Sequence, residues 1–407
     1  TTHRRGPPNW RTRPGGGRLA WNISRPLSDR DRRACGQRLG WDVGLGSYCG
    51  WSGSTGTEVP VAYTSIEICA GAGGQAIGLA AADFEHAALV EIDPHACATL
   101  RENRPDWNVC EQSVLDWDPS PYADRGIDLL AGGVPCPPFS KAGKQLGHED
   151  ERDLFPRALE LVKALKPRAV LLENVRGLMD PVFEGYRRGI LNELAEDYWA
   201  EWRLLQASDY GVPQLRPRAI LVALRHDVAH HFTWPVPRPE AAPTVGFTLR
   251  TLMGANGWEG AEAWADKANV VAPTLVGGSK KHGGPDLGPT RARRAWAAIG
   301  VNGSTIAESA PLPGHEGMPR LTVQMAAVLQ GFPDDWVIVG RKTNAYRQVG
   351  NAFPPPVAKA VGDAIAAALR AADEAEGGGR VQAPQRSSRA RRTSLSIGQA
   401  ERDRASA

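Results

Sequence analysis

The sequence predicts an α/β fold: a sheet with helices on both faces and a smaller irregular domain set into the chain. From Ser65 onward, short apolar runs ending near Ala70, Glu91, Ala131 and Glu173 alternate with helix candidates at 74–82, 94–103 and 157–166. That rhythm is the mark of parallel strands joined by crossover helices. Several of the runs end on glycines, a carboxylate or a cysteine, and ligands of such sheets bind at the carboxyl ends of the strands. After Arg225 the rhythm breaks for nearly a hundred residues rich in Gly, Pro, Trp and basic side chains, then resumes at about Arg320.

The elements follow in order. Residues 1–60 are rich in Gly, Arg, Pro, Ser and Trp without helical or strand periodicity, and read as a disordered or irregular extension. Residues 61–225 carry the first part of the Rossmann-like sheet, closing on a strand pair at Trp202–Ala207 and Ala219–Leu224 around the turn Tyr210-Gly-Val-Pro. Residues 226–319 are the insert. Residues 320–373 complete the first domain: Thr322 is placed to cap a helix that stops at Gly331, and Pro354–Pro356 open an Ala-rich helix to about Ala371. Residues 374–407 read as a disordered basic tail.

Composition bounds the class. At 407 residues and 42% hydrophobic content the chain can bury a sizeable core. No apolar run approaches the ~20 residues of a membrane span, so the expectation is a cytoplasmic, nucleoid-associated protein with no membrane partner. Six cysteines, at 35, 49, 69, 97, 110 and 136, show no paired spacing, which argues against a disulfide framework and against a metal site. The net charge of +3 hides an acidic middle. Residues 1–60 hold ten arginines against four acids and residues 377–407 seven against two, leaving residues 61–376 at −8. A nucleic-acid surface must therefore come from local clustering, and the best run joins Lys280 and Lys281 to Arg291, Arg293 and Arg294 with only Asp286 opposing.

Five motifs carry chemistry. Ile66-Glu-Ile-Cys-Ala-Gly-Ala-Gly-Gly74 is a strand, a glycine-rich turn and a helix start, where backbone approaches a nucleotide-like ligand. Some twenty residues on, Glu91-Ile-Asp93 ends the next strand, and a carboxylate there either caps the following helix or accepts ribose hydroxyls. No phosphate-gripping lysine follows the glycines, which points to an adenosine cofactor without a pyrophosphate, S-adenosylmethionine. Pro135-Cys136-Pro-Pro follows an apolar strand, so prolines that cannot continue the sheet hold a thiol at its end, the way a nucleophile is presented. Glu173 ends a nearly wholly apolar strand, where desolvation raises a carboxyl pKa. Gln214-Leu-Arg-Pro-Arg218 brings two guanidinium groups into a strand that is otherwise apolar, and arginine in such a place needs an anion or a base edge.

In family order these motifs resemble those of the cytosine-C5 DNA methyltransferases of bacterial, restriction-modification type. The resemblance spans about Thr64 to Ala371 through Ala70-Gly-Ala-Gly-Gly, Glu91-Ile-Asp, Pro135-Cys136, Glu173-Asn-Val, Gln214-x-Arg-x-Arg218 and Arg347-Gln-Val-Gly-Asn351. It implies a Rossmann-like S-adenosylmethionine-dependent methyltransferase sheet, with residues 226–319 as the target-recognition domain. Cys136 is then the nucleophile that adds to C6 of a flipped cytosine, Glu173 the donor to ring N3, and Arg218, with Arg216 near it, the group that steadies the base. Cofactor contacts fall on Cys69, Gly71, Ala72 and Gly73 of the glycine turn and on Glu91 and Ile92 after the second strand. Ser113 and Val114 follow the third strand, Pro135 and Leu154 flank the thiol loop, and Asn351 and Phe353 close the chain. Gln214, Thr274, Lys280, Lys281, Arg291, Arg293 and Arg294 are the expected DNA-binding residues, either reading guanine edges or holding phosphates.

Two positions depart from the family. Cys69 stands where an aromatic residue is usual, and Ser113 where an Asp commonly contacts adenine, with Asp116 as a substitute. The expected partner is double-stranded DNA, bound by a monomer whose cognate restriction endonuclease is a genetic partner. Rival readings are a tRNA cytosine-C5 methyltransferase and a catalytically silent DNA-binding relative.

Overall fold

The computed structural model describes residues 62–135, 153–277 and 284–377. Their strands are β1 (Tyr63–Ile68), β2 (Phe84–Glu91), β3 (Val109–Glu111), β4 (Leu129–Gly132), β5 (Ala169–Val175), β6 (Tyr198–Gln206) and β7 (Pro217–Arg225). They form one sheet in the order β3-β2-β1-β4-β5-β7-β6. β1 to β5 run parallel, and β7 is antiparallel to both of its neighbours. The order turns back between β1 and β4, which opens a crevice at their carboxyl ends.

The helices are α1 (Gly74–Ala80), α2 (Pro94–Asn103), α3 (Phe155–Leu165), α4 (Glu184–Leu194), α5 (His226–Ala229), α6 (Val245–Met253), α7 (Ala261–Lys267), α8 (Thr290–Ala298), α9 (Val323–Leu329), α10 (Lys342–Asn351) and α11 (Pro355–Ala375). One sheet face buries Ile66, Ile68, Leu130, Leu172 and Leu221 against Phe155, Leu159 and Val162 of α3. The opposite face buries Leu129, Ala131, Leu171 and Val222 against Val357, Val361, Ile365 and Leu369 of α11. Strand alternation and the 3.6-residue helical period meet on both faces, as the sequence pattern requires.

Helix α4 was not legible because only Ile190 and Leu194 of its eleven residues are buried, too thin a stripe to show a period. The insert, expected to be irregular, carries α5 to α8. Their buried residues Leu249, Trp264 and Trp296 join Ala72 and Leu100 beside the glycine turn, and Met325, Trp336 and Tyr346, in one continuous apolar cluster. Residues 226–319 therefore share a core with the edge of the sheet. Among the described residues no helix is long and apolar enough to cross a membrane.

The amino edge of the sheet is closed by paired charges. Arg168, just before β5, bonds Asp373 of α11 at 2.6 Å and lies 3.6 Å from the buried Asp128 before β4. Tyr63 of β1 donates to the same Asp373 at 3.0 Å, and Asp128 accepts the Thr64 N–H at 2.9 Å. Three strands and the last helix are thus fastened at the end away from the crevice.

His86 of β2 is half-buried beside α1. Its Nε2 bonds the Ala76 carbonyl at 3.0 Å and its Nδ1 the Ser65 hydroxyl at 2.8 Å. A carbonyl only accepts, so Nε2 carries the proton and Nδ1 accepts from Ser65. Burial lowers the His86 pKa to about 4, the bond to Ala76 opposing. The folded pKa lies below that of the unfolded chain, so the cost is absent above pH 6.5 and grows as pH falls toward 4, reaching about 3 kcal/mol. His86→Gln should therefore lose less melting temperature than the parent between pH 7 and pH 4.5; equal losses in paired thermal melts would show that His86 is protonated in the fold.

Candidate active site

The glycine turn is built from left-handed backbone. Cys69, Gly71 and Gly73 have φ of 53°, 56° and 86°. At Gly73 an added Cβ would come 2.7 Å from Leu100 Cδ2 and 3.2 Å from Trp336, so both the backbone and the space call for glycine. Trp336 supports the turn by donating its indole N–H to the Ala72 carbonyl at 3.1 Å. Behind it Trp107 lies against both Trp336 and His86, with Arg104 over the two indoles. No motif in the sequence announced this column, because Trp336 lies more than 260 residues from Ala72.

Glu91 ends β2 nearly buried, and its carboxylate is held from three sides. Oε1 accepts the N–H groups of Ile92 and Asp93 at 2.9 and 2.7 Å, and Oε2 accepts that of Gly71 at 2.7 Å. One lone pair on Oε2 remains for a hydroxyl donor. The helix cap at this strand end is a different residue, Asp93, which accepts from the His95 N–H. Ile92 presents an apolar side chain that is 63% exposed. Gln112 donates its N–H to the Glu91 carbonyl, which brings the β3 end and Ser113 alongside. Ser113 is half-buried with its Oγ accepting from Leu115, Val114 is buried, and Asp116 is exposed. The acceptor, the apolar flank and the open space in front of Gly71, where an added Cβ would meet nothing within 4 Å, fit a ribose with its adenine.

Cys69 is half-buried. Desolvation, helped by the carboxylates of Glu91 and Glu67, pushes its thiol pKa well up, and burial pushes Cys97 up to about 12. Glu67 itself is fully buried and held well above the carboxylate range by desolvation. Iodoacetamide at pH 8 should therefore leave Cys69 and Cys97 unmodified in the native protein. Peptide mass spectrometry that finds Cys69 alkylated as fast as an exposed thiol would show that the turn opens.

At the end of β4, Gly133 to Pro135 lead toward Cys136, which lies outside the described residues, as do Lys280 and Lys281. Pro135 accepts the Leu154 N–H at 3.3 Å. Asn174, a buried residue to which the sequence reading gave no role, donates its side-chain amide to the Val134 carbonyl at 2.7 Å. It ties the end of β5 to the residue two before Cys136. Next to it Glu173 is buried, with Oε1 2.6 Å from Arg218 Nε. The antiparallel register explains the meeting: Val175 pairs with Arg218 and Glu173 with Ile220, so Arg218 and Glu173 are diagonal neighbours on one face. Burial raises the Glu173 pKa and the guanidinium groups of Arg218 and Arg216 oppose it. A carboxyl group so placed retains a proton more readily than an exposed one.

Gln214 and Arg216 do not have the surroundings expected of a DNA contact and a base contact. Both have no exposed surface. Arg216 donates to the carbonyls of Leu275 (2.7 Å), Gly350 (2.8 Å) and Ala352 (2.9 Å) and, at 3.5 Å, to the Gln214 amide oxygen. Gln214 accepts the Leu275 N–H at 2.8 Å and donates to Leu329 and Gln330. Gln330 in turn donates to the Ala352 carbonyl at 2.6 Å. The two side chains clamp the insert and the closing segment to the start of β7, because the strand alternation that turns Arg218 toward Glu173 turns Gln214 and Arg216 inward as well. Thr274 belongs to the same clamp, its hydroxyl donating to the Leu215 carbonyl at 2.5 Å. Where the segments cross, Gly277 and Gly350 touch backbone to backbone: a Cβ on Gly350 would lie 2.4 Å from the Gly277 Cα.

The closing segment returns to the crevice. The Phe353 carbonyl abuts Gly74 at the start of α1, while the Phe353 ring is buried in the core; Asn351 is exposed, with its side-chain oxygen against Gly277. Arg291, Arg293 and Arg294 are exposed on α8.

The family model of the C-5 cytosine-specific DNA methylases matches residues 63–367. The chain belongs to that family. The Type II methyltransferase M.NaeI of Lentzea aerocolonigenes is 58% identical over 313 residues, 75% of this chain and 75% of the relative. The Type II methyltransferase M.NgoMIV of Neisseria gonorrhoeae is 55% identical over 312 residues, 76% of this chain and 98% of the relative. Among solved structures, a prophage-encoded DNA modification methyltransferase structure from E. coli shares the fold with a TM-score of 0.54 at 23% identity, covering 77% of this chain and all of that one. A Spodoptera frugiperda DNMT2 mutant does so with a TM-score of 0.51 at 19% identity, covering 73% and 98%. The methylase fold is thus the mixed seven-stranded sheet described above, with its crevice at the carboxyl edge.

In this methylase Arg216→Lys keeps the charge and loses the four-acceptor fork, so it should lower stability by about 3 kcal/mol. Arg218→Lys should cost less than half of that. Urea denaturation of the two variants checks the contrast, and a reversed order would place the clamp at Arg218.

Proposed function

We propose that this methylase transfers a methyl group from S-adenosylmethionine to C5 of a cytosine flipped out of a specific duplex sequence, as the modification enzyme of a restriction-modification system. One observation carries the reading. The buried Glu173–Arg218 pair stands at the carboxyl edge of β5, and Asn174 ties that edge to the strand end that leads into Pro135-Cys136. Residues 61–225 and 320–373 form the catalytic domain in this reading, residues 226–319 choose the target, and a monomer acts on double-stranded DNA with its endonuclease a genetic partner only.

Cytosine C5 is too weak a nucleophile to take a methyl group until the ring has been activated by addition at C6. The Cys136 thiolate forms the bond to C6 while Glu173 gives its proton to N3, and the electron pair of the 5,6 double bond shifts to C5. S-adenosylmethionine, when bound, supplies an electrophilic methyl group on a sulfonium. Water or hydroxide then removes the C5 proton, the pair re-forms the double bond, and the thiolate leaves C6 as N3 returns its proton to Glu173. Arg218 keeps the carboxyl oriented and faces the ring as its charge changes. Glu91 accepts a ribose hydroxyl through its remaining lone pair, Ile92 covers the adenine, and Ser113 and Val114 border it. The turn from Cys69 to Gly73 lets backbone approach the cofactor, with Pro135, Leu154, Asn351 and Phe353 around it.

Cys136→Ser should abolish turnover, and duplexes carrying 5-fluorocytosine should trap the unaltered protein as a covalent adduct, since fluorine cannot leave as the C5 proton does. Full activity in Cys136→Ser, or no adduct on gel electrophoresis, would refute the covalent route. Bisulfite sequencing of DNA from cells that express the chain tests the function itself: no converted-resistant cytosines at any sequence would overturn it.

A further inference from the structure

We propose that Arg293 of α8 reads the major-groove edge of one guanine in the recognised sequence, while Arg294 holds a phosphate. The assignment rests on the DNA-methylation reading and decides between the two roles that sequence alone left open for these arginines.

A depression of about 290 Å³ lies along one flank of α8, lined by Arg293, Arg294, Asn302, Gly303, Ser304 and Met318. Its far wall is fixed. Leu287 donates its N–H to the Gly303 carbonyl at 3.1 Å, Asn302 donates to Pro319 at 2.8 Å, and Trp296, fully buried, anchors the opposite side of the helix. The charged groups facing the depression, the Arg293 and Arg294 guanidinium groups, are donors only, and the Ser304 and Thr290 hydroxyls beside them both donate and accept. Asn302 commits its side-chain oxygen to the Ser304 N–H at 3.1 Å, and its NH2 has no partner among the described residues. A guanine edge offers two acceptors, N7 and O6, and no donor. Adenine and cytosine would each bring an amino group, which a guanidinium cannot accept.

The charges on α8 serve something outside the fold. Arg291, Arg293 and Arg294 are the second, fourth and fifth residues of the helix, and no acid stands in its first turn. Positive charge there opposes the helix dipole, and stability alone would favour Asp or Glu. None of the three arginines makes an ion pair among the described residues, so their charge awaits an external partner.

Gly303 separates the arginines. An added Cβ at Gly303 would lie 3.3 Å from Arg293 Cγ and 3.2 Å from Leu287 Cβ, so the Arg293 stem is packed between loop and helix. A guanidinium on a fixed stem is pre-organised for a bidentate contact, which demands direction. None of the atoms nearest Gly303 belongs to Arg294, and a phosphate contact needs only charge.

The test is methyl transfer onto duplexes randomised around the preferred site, read by bisulfite sequencing at two salt concentrations. Arg293→Ala should reduce discrimination at one G·C pair by on the order of ten- to a hundredfold and leave the other positions unchanged. Arg293→Lys, which keeps the charge and loses the fork, should behave like Arg293→Ala. Gly303→Ala, which crowds the stem, should weaken the same pair. Arg294→Ala should slow transfer on every sequence alike, with a shallower salt dependence. Uniform loss in Arg293→Ala, unchanged preference, or rescue by lysine overturns the assignment alone, because the unaltered protein still methylates its site. A parent protein that transfers no methyl group to any duplex overturns the DNA-methylation reading and this assignment with it.

Discussion

The carboxyl edge of the sheet depends on a guanidinium that bonds to no carboxylate among the described residues. Arg216 is fully buried, and its bonds go to carbonyl oxygens of Leu275, Gly350 and Ala352 and to the Gln214 amide. Burying such a charge is costly, and well-directed acceptors are needed to offset it. The acceptors come from the insert and from the end of α10, so the two amino groups of the guanidinium are served only when both have docked on the start of β7, while Nε is buried without a hydrogen-bond partner among the described residues. The glycine contact between Gly277 and Gly350 shows how little slack the docking has, since a methyl group on either would strike backbone or the Asn351 side chain. Arg218 is two residues from this clamp, on the strand whose register with β5 brings it to Glu173.

Strand polarity does the rest. β1, β2, β4 and β5 bring the residues after their last turns of strand to the crevice, whereas β7 brings its first residues there because it runs the other way. A parallel β7 would carry Arg218 to the edge where Arg168, Asp128 and Asp373 are already paired. The hairpin with β6 makes the antiparallel insertion possible without a crossover.

Much of the sheet was legible because its strands are short apolar runs with marked ends, and Thr322, Pro94 and Pro355 announce their helices in the sequence. The candidate residues at strand ends were legible for the same reason. Gln214 and Arg216 were not, since a polar residue entering a strand looks the same whether it meets DNA or the carbonyls of a distant segment. Asn174 sat inside a quoted motif but its partner, the Val134 carbonyl, is backbone and leaves no mark on sequence. Trp336 and the insert's share of the core depend on contacts across hundreds of residues, which period and composition do not record. β6 begins at Tyr198, four residues before the expected start, because an edge strand needs one apolar face only and tolerates the charged Glu201.

The two ends of the sheet treat charge differently, and the difference bears on the proposed reaction. At the amino edge one arginine stands between two aspartates, with a tyrosine bonded to one of them, and the groups do no more than hold strands together. At the carboxyl edge two guanidinium groups stand beside one carboxyl, a surplus of positive charge with little water to screen it. Thiolate addition brings negative charge onto the pyrimidine ring as the C6 bond forms, and proton delivery to N3 draws that charge toward the pair. Dipoles and charges fixed beforehand in a dry site need no reorganisation when the ring accepts that charge. In the proposed reaction the clamp that holds Arg216 then acts without touching the base: it keeps a buried guanidinium two residues from Arg218, where its charge opposes the rise that burial gives the Glu173 carboxyl pKa.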